Sequence, residues 1–461
     1  MEPARSVDLT TGPISSHFRT LAIPAALGMV FNTLYNMVDM FWAGRLATDA
    51  QAGLAIGFMV LFVYIAFGFG LSSGTSALIG GAIGEKDRGR ACKLAGQVMS
   101  FAALISVALM GLSLVLSPLI IDLVSEPGPY RDAAARYLMI LTLSIPGFVV
   151  AYACNGALQA QGDSVSLTRA LFGAFLLNIV LNPLLIFGIP GLWAGMGFDG
   201  LAASTVASQT LVMLFMLWRL FGSDVLQGIS GDCFRPRVET FRTLALQMLP
   251  TSFSLQIMIL GGFAVQFALK EFGAEAVAAY GLGLRIEQLI LLPILGVATS
   301  LLPIAAQNFG AKDYDRVREA TAFAVKIALL FMAALCPVLW LGAGAALSLF
   351  TDDPEVRRIG VTYLHVDAVL LPVYSLLFII NSFLQALKRP IFVLWISIYR
   401  QGFGVAFFVW LLLTFWSWDI WSVWFGIGLS VVTGLVLSVS LASYVAQQEI
   451  GGLWGRREVQ A

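Results

Sequence analysis

The chain has 461 residues, of which 59% are hydrophobic and 12% are charged, and its mean hydropathy is +0.86. A soluble domain carries about 25% charged residues, so this composition excludes an ordinary soluble protein and indicates an integral membrane protein. The formal net charge is zero, which gives no support for a nucleic-acid partner.

Charged positions divide the sequence into apolar runs of roughly 20 to 30 residues, long enough for α-helices that cross a bilayer. The runs predict an all-α integral membrane protein with twelve transmembrane helices and no removable signal peptide. The predicted spans, in chain order, are 18–42, 51–80, 94–121, 133–158, 166–188, 199–221, 241–269, 275–303, 319–349, 359–386, 390–415 and 420–446.

Most Lys and Arg residues fall in loops on one side of the predicted membrane, with Arg400 counted there and Arg285 left inside a span. The positive-inside rule makes that side cytoplasmic and predicts a bacterial-type inner-membrane protein with both termini in the cytoplasm. The four cysteines have no paired spacing and the chain has only two histidines. The sequence therefore predicts neither a metal knuckle nor a histidine-built zinc site.

The sequence repeats itself at an offset of 226 residues. Pro24 matches Pro250, Gly57 matches Gly283, and the loop GEKDRGR (84–90) matches GAKDYDR (310–316). Each half contains six spans, so both halves enter the membrane in the same direction. The repeat predicts two pseudo-symmetric six-helix bundles, 1–225 and 226–461, in a secondary transporter that works by alternating access. The sequence contains no phosphate-binding nucleotide loop, so an ion gradient is the expected energy source.

Several motifs together resemble one transporter family. They are Pro24 followed by YNMVDMFWAG (35–44), NGALQAQGD (155–163), LNIVLNPLLIFG (177–188), GLAASTVASQ (200–209) and the paired loops. From about residue 15 to 447 the chain resembles the multidrug and toxic compound extrusion (MATE) family of cation-coupled antiporters. The resemblance implies export of amphipathic, often cationic, small molecules in exchange for H⁺ or Na⁺. We expect a monomer in the bilayer that needs no cofactor. Enzymatic activity is not expected, because the sequence shows no nucleophile, metal cluster or cofactor motif.

Positions where the two halves differ indicate the ion-coupling site. Asp39, Asn178, Asn182 and Thr205 match Val265, Gly404, Phe408 and Val431, so these polar groups occur in the first half alone. On the first helix, Tyr35 and Asn36 lie within one turn of Asp39. The predicted ion-coupling residues are Asp39, Tyr35, Asn36, Asn178, Asn182 and Thr205.

Asp39 is the predicted coupling carboxylate, because intramembrane acids are costly and usually functional. The family resemblance gives the matching aspartate this role. The alternative is a carboxylate satisfied by Asn and Tyr neighbours for helix packing alone. Asn182 stands where many relatives carry an aspartate, which favours protons over sodium. A sodium ion at Asp39, helped by Asn178, Thr205 and carbonyl groups, is the open alternative.

The second half has candidates of its own. Tyr363 and Asp367, in YLHVD (363–367), resemble a second ion site of the family, but Gln256 stands where its acidic partner is expected. A site near the outer mouth, in water, is the alternative for Asp367. Arg285 and Glu287 are two residues apart and do not face each other on a helix. For these two, substrate recognition or gating competes with structural ion pairing to another helix.

Two alternatives remain open from the sequence. Pro24 removes a helical hydrogen bond, and the resemblance makes it a hinge that reshapes the cavity, whereas a static kink would serve packing alone. For the whole protein, the rival function is a lipid-linked oligosaccharide flippase of the same superfamily. A flippase needs a strongly basic central cavity, and the sequence offers Arg285 as the one clearly intramembrane arginine.

Overall fold

The computed structural model describes residues 7–46, 48–124, 129–228, 230–415 and 419–453. Within these ranges the regular structure is helical, with one isolated antiparallel bridge between Ile189 and Trp193. The α-helices are α1 (Ile14–Leu46), α2 (Thr48–Gly84), α3 (Arg88–Val124), α4 (Pro129–Thr142), α5 (Ile145–Gln159), α6 (Val165–Phe187), α7 (Phe198–Phe221), α8 (Val238–Leu269), α9 (Ala274–Gly310), α10 (Tyr314–Ser348), α11 (Pro354–Ala386), α12 (Ile391–Ser397), α13 (Val405–Phe415) and α14 (Trp421–Ile450).

The number of membrane spans agrees with the sequence prediction. The described residues contain 11 helices that are long and apolar enough to cross a membrane, one of which, Ile391–Phe415, is α12 and α13 joined through a π-helical segment, Ile398–Gly404. Helices α4 and α5 together make a further span that is bent by 44°. Counting this bent pair as one span gives 12, so the predicted all-α membrane fold is confirmed.

The chain divides into two compact units. Unit 1 comprises Met1–Asp8 and Leu27–Ser252, and unit 2 comprises Leu9–Ala26 and Phe253–Ala461. The chain changes unit inside α1 after Ala26 and inside α8 after Ser252, two residues beyond the matched prolines Pro24 and Pro250. Proline removes one backbone hydrogen bond from a helix, so the chain passes from one unit to the other close to a missing hydrogen bond in α1 and in α8. The hinge role of Pro24 and the division at residues 225 and 226 stay predictions.

A matched glycine and tyrosine form the same close contact in each unit. A Cβ atom on Gly57 would lie 2.5 Å from the ring of Tyr137, and one on Gly283 would lie 2.3 Å from the ring of Tyr363. Both distances are far below ordinary van der Waals contact, and both tyrosines are buried. Only glycine lets the two helices approach this closely. The repeat in the sequence is therefore also a repeat in the packing.

Each of these tyrosines also packs against a matched aromatic ring. Tyr137 stacks on Phe198 with ring centroids 4.8 Å apart, and Tyr363 packs on Trp424 with centroids 5.0 Å apart. Rotation of either tyrosine side chain would break its aromatic contact, so each ring is held in place against its glycine.

Replacing Gly283 by alanine is expected to destabilise unit 2. The new methyl group overlaps the Tyr363 ring, and overpacking of this kind typically costs about 1–3 kcal/mol. The measurement is the thermal midpoint of the detergent-purified protein, followed by helical circular dichroism. Gly281→Ala is the matched control, because a Cβ there meets nothing within 4 Å. Equal midpoints for the two variants would contradict the packing argument.

Four helix ends share one type of turn. Lys86, Gly162, Lys312 and Lys388 have φ between 58° and 84°. After each of them the next backbone N–H donates to a carbonyl five residues earlier in the chain, at 2.9–3.0 Å. This pattern is the Schellman motif, which satisfies carbonyl groups at a helix end. It ends α2, α5, α9 and α11 at equivalent places and keeps the two halves in register.

Candidate functional site

The carboxylate of Asp39 lies inside unit 1, and the residue is 1% exposed. Two amide groups on α6 face it: Asn178 donates to Oδ1 at 3.0 Å, and Asn182 donates to the same oxygen at 2.8 Å. The Nδ2 of Asn182 also donates to Oδ1 of Asn178 at 3.0 Å. The two asparagines lie one turn apart on one helix face, so a single helix supplies both donors. The structure thus brings together the three central members of the predicted set.

Tyr35 and Thr205 border the same site. The Tyr35 hydroxyl lies among the side chains of Thr205, Ser208 and Asn178, but it makes no hydrogen bond to any residue that the structure describes. Thr205 donates to the carbonyl of Leu201 at 3.3 Å. Its hydroxyl oxygen therefore still has an acceptor lone pair to offer.

Serine hydroxyls extend the polar surface of α7 beside Thr205. Ser204 and Ser208 are fully buried, yet within the described chain neither hydroxyl has a hydrogen-bond partner. A serine inside a helix commonly bonds to the carbonyl four residues earlier, and these two do not. Both were absent from the predicted set. The sequence signal for them is that Ser204 and Ser208 are four residues apart, one helical turn, in the motif GLAASTVASQ that also contains Thr205.

Asn36 does not join the cluster around Asp39. It is half-buried, and its side chain makes no hydrogen bond to another described residue. Although Asn36 precedes Asp39 by one helical turn, the donors that reach the carboxylate come from α6. The functional role predicted for Asn36 stays a prediction without a contact to support it.

In unit 2, Tyr363 and Glu287 meet directly. The Tyr363 hydroxyl donates to Oε2 of Glu287 at 2.9 Å. Asp367 is 1% exposed, interacts electrostatically with Glu287, and has no hydrogen-bond partner for either carboxylate oxygen among the described residues. The alternative that Asp367 lies in water near a mouth is therefore wrong, because its side chain is buried.

The other two candidates of unit 2 lie apart from these contacts. The Nε2 atom of Gln256 is buried and has no partner within the described ranges. Arg285 is exposed and forms no ion pair with a described residue. Arg285 and Glu287 therefore do not pair with each other in this structure.

Arg400 requires a correction to the sequence analysis. Its charge is counted there with the cytoplasmic loops, although the predicted span 390–415 contains it. In the structure it lies nine residues after the start of the span Ile391–Phe415, in the π-helical segment. Its guanidinium is 5.8 Å from the ring centroid of Tyr374 and interacts electrostatically with Glu287. Arg285 is thus not the one clearly intramembrane arginine.

The fold and these buried polar sites define a multi-pass membrane transporter built from two repeated helical halves. Residues 24–184 and 250–410 match the MatE family model, and both ends of the second range lie 226 residues after those of the first. These matches cover more than half of the chain, so the chain belongs to the MatE family. The predicted family and the pair of repeated bundles are confirmed. The prediction of a transporter rather than an enzyme is confirmed with them.

Relatives and a solved structure resemble the chain over most of its length. A FAD transporter of Shewanella oneidensis is 26% identical over 85% of this chain and 86% of its own. The probable multidrug resistance protein YoeA of Bacillus subtilis is 26% identical over 73% of each chain. The structure of a MOP superfamily transporter from Pyrococcus furiosus superposes with a TM-score of 0.87 at 24% identity, over 97% of this chain and 99% of that one.

Proposed function

We propose that the protein is a secondary antiporter of the cytoplasmic membrane that exports amphipathic organic compounds in exchange for protons, by alternating access. The observation that carries this proposal is the buried carboxylate of Asp39, held by the Asn178 and Asn182 amides. A buried acid within a membrane-spanning helix is costly and is usually retained for function. Asp39 is the coupling residue, Asn178 and Asn182 orient it, and Tyr35 and Thr205 complete the site.

Proton binding at Asp39 changes its contacts with α6. Both amide donors end on Oδ1, and among the described residues none donates to Oδ2, which is therefore the oxygen that receives the proton. A protonated carboxyl becomes a hydrogen-bond donor and loses the charge that attracts two N–H groups. The buried Oδ1 of Asn182, which has no partner in the described chain, is the acceptor that becomes available when its amide turns. Proton binding and release thus switch the contact between α1 and α6.

The donor set favours a proton over a sodium ion. Sodium, like other hard cations, requires several oxygen ligands, of which carboxylates are the strongest. Among the residues that the structure describes, those that donate a hydrogen bond to Asp39 are both asparagines, and both turn the amide nitrogen rather than the oxygen toward it. A sodium site would need both amides reversed and the Tyr35 and Thr205 hydroxyls drawn in. The proton needs one oxygen, and Oδ2 supplies it.

An ion gradient provides enough energy for export. One charge that falls through 100 mV yields about 2.3 kcal/mol, and one pH unit adds about 1.4 kcal/mol. Together they sustain a substrate gradient of about two to three decades. We propose one coupling site per cycle in a monomer, with both termini in the cytoplasm.

The relatives support two substrate classes. Most of those compared are described as multidrug resistance or export proteins, which supports drug-like organic cations. The Shewanella relative is a FAD transporter, which makes an anionic flavin nucleotide the second candidate. The flippase alternative would require a lipid-linked substrate instead.

Transport by the purified protein in proteoliposomes tests the proposal. A pH gradient or a sodium gradient is imposed separately, and movement of a fluorescent organic cation is followed against protein-free vesicles. We expect movement under the pH gradient alone. FAD in place of the cation tests the second substrate class. The antiporter proposal is wrong if neither compound moves under either gradient while the protein transfers a fluorescent lipid analogue between the two leaflets. The flippase function would then replace it.

A further inference from the structure

Four positions in the helices of unit 2 carry polar or charged groups where the matched positions of unit 1 are apolar; of the four, Asp367 is buried and the other three are partly buried. In unit 1 these positions are all buried hydrophobic side chains. The matched pairs are Glu287 and Leu61, Asp367 and Leu141, Tyr374 and Phe148, and Arg400 and Ala174. Because the same scaffold forms with apolar residues at these places, the fold does not require the charges. Charged side chains within membrane-spanning helices are costly, so this cluster needs a functional explanation.

The backbone and a neighbouring glycine make room for Arg400. The residue lies in the π-helical segment, a helix form that occurs frequently at functional sites. A Cβ atom on Gly434 of α14 would lie 2.9 Å from Cδ of Arg400, so the side chain occupies space that the glycine leaves open. The Ser430 hydroxyl donates to the Arg400 carbonyl at 2.5 Å. The guanidinium is thus held inside the helical span, facing the Tyr374 ring.

Within the described residues, neither Glu287 nor Asp367 forms a direct ion pair with Arg400. Glu287 interacts electrostatically with Arg400 and with Asp367, and it accepts a hydrogen bond from the Tyr363 hydroxyl. Among the described residues, Arg400 makes no direct ion pair, its buried Nε has no partner, and neither oxygen of Asp367 has one. Glu287 therefore interacts with one guanidinium and with a second carboxylate, and the three groups together carry a formal charge of −1. Without the guanidinium the formal charge would be −2.

We propose that Arg400 is a specificity-determining residue: its guanidinium is the resident counter-cation of Glu287 and Asp367, and it excludes monovalent metal ions and organic cations from this acidic pair. An incoming cation would meet a positive charge at close range in a medium of low dielectric constant. Two neighbouring carboxylates within the helical spans would attract a cation strongly without that charge. Since the chain carries its own cation here, unit 2 needs no ion from solution, and ion coupling is confined to Asp39.

The test measures sodium binding rather than transport. The inference rests on the proposed ion-coupled function, but binding of ²²Na⁺ by the detergent-purified full-length protein is read independently of any substrate. All variants carry Asp39→Asn, so that the proposed coupling site of unit 1 contributes no carboxylate. With Arg400 present we expect no saturable binding. With Arg400→Gln added we expect about one sodium ion per protein, and this ion should be lost again when Asp367→Asn is introduced as well.

Two control variants separate charge at this place from charge in general. Arg400→Lys keeps a cation in the span and is expected to stay without sodium binding. Arg285→Gln removes an equal charge from an exposed residue two positions before Glu287 and should also bind none. Tetraphenylphosphonium in place of sodium should follow the same pattern.

Either of two results would overturn the inference. One is saturable sodium binding by the Asp39→Asn protein with Arg400 intact, which needs no Arg400 variant and so holds even if that variant fails to fold. The other is absence of binding by a monodisperse Arg400→Gln protein that keeps its helical circular dichroism. Neither result bears on whether protons drive transport through Asp39, which the proteoliposome experiment decides.

Discussion

Asp39→Asn is expected to reduce proton-driven transport to the level of protein-free liposomes while leaving the protein folded. An asparagine occupies nearly the same volume, and its carbonyl oxygen can still accept from Asn178 and Asn182, which now donate at 3.0 and 2.8 Å. The packing between α1 and α6 is therefore kept. A carboxamide does not take up a proton near neutral pH, so the site loses the one group that can couple ion movement to conformational change. The measurement is substrate movement under an imposed pH gradient, at equal protein content.

A control variant makes this loss specific. Asp122→Asn is the same chemical change in an exposed carboxylate that pairs with Arg131 near the end of α3, and its transport should match that of the unmodified protein. Thermal midpoints of both variants show whether the fold is retained. Full transport by correctly inserted Asp39→Asn protein would mean that Asp39 serves helix packing, which is the alternative that the sequence left open.

The sequence predicted the core of the site because the two halves can be compared with each other. Asp39, Asn178 and Asn182 are polar at places where the second half is apolar or lacks a side chain, and the structure puts them in direct contact. A charge or amide inside a long apolar run is costly in a membrane, so it stands out against its surroundings. Spacing along one helix then shows that Asn178 and Asn182 share a face.

Other features gave no comparable signal. The predicted span 390–415 contains Arg400, but its π-helical segment and its interaction with Glu287 on another helix cannot be read from hydrophobic runs, so its charge was counted with the loops. Ser204 and Ser208 resemble the small residues that let membrane helices approach. Their lack of partners becomes visible only when every neighbouring atom is known. The contacts of Arg400, Ser204 and Ser208 with other helices were therefore the part that the sequence left undetermined.

Asn182→Asp is expected to make transport dependent on sodium. The amide nitrogen of Asn182 lies 2.8 Å from Oδ1 of Asp39, so the substitution brings a second carboxylate within hydrogen-bond distance of the first. Two like charges this close cannot both persist without a cation between them. A pair of carboxylates with the Tyr35 and Thr205 hydroxyls nearby also offers the oxygen-rich surroundings that sodium requires. A sodium gradient alone should then drive substrate movement, which the unmodified protein should not show.

Asn182→Leu distinguishes added charge from the loss of the amide. It removes both hydrogen bonds that Asn182 donates without supplying a carboxylate, so proton-driven transport should fall and no response to sodium should appear. If Asn182→Asp keeps a purely proton-driven cycle, the second carboxylate has bound a proton in place of sodium. The choice of ion would then depend on the geometry of the oxygen ligands rather than on the number of negative charges. If Asn182→Leu also responds to sodium, the amide itself is the group that excludes the metal ion.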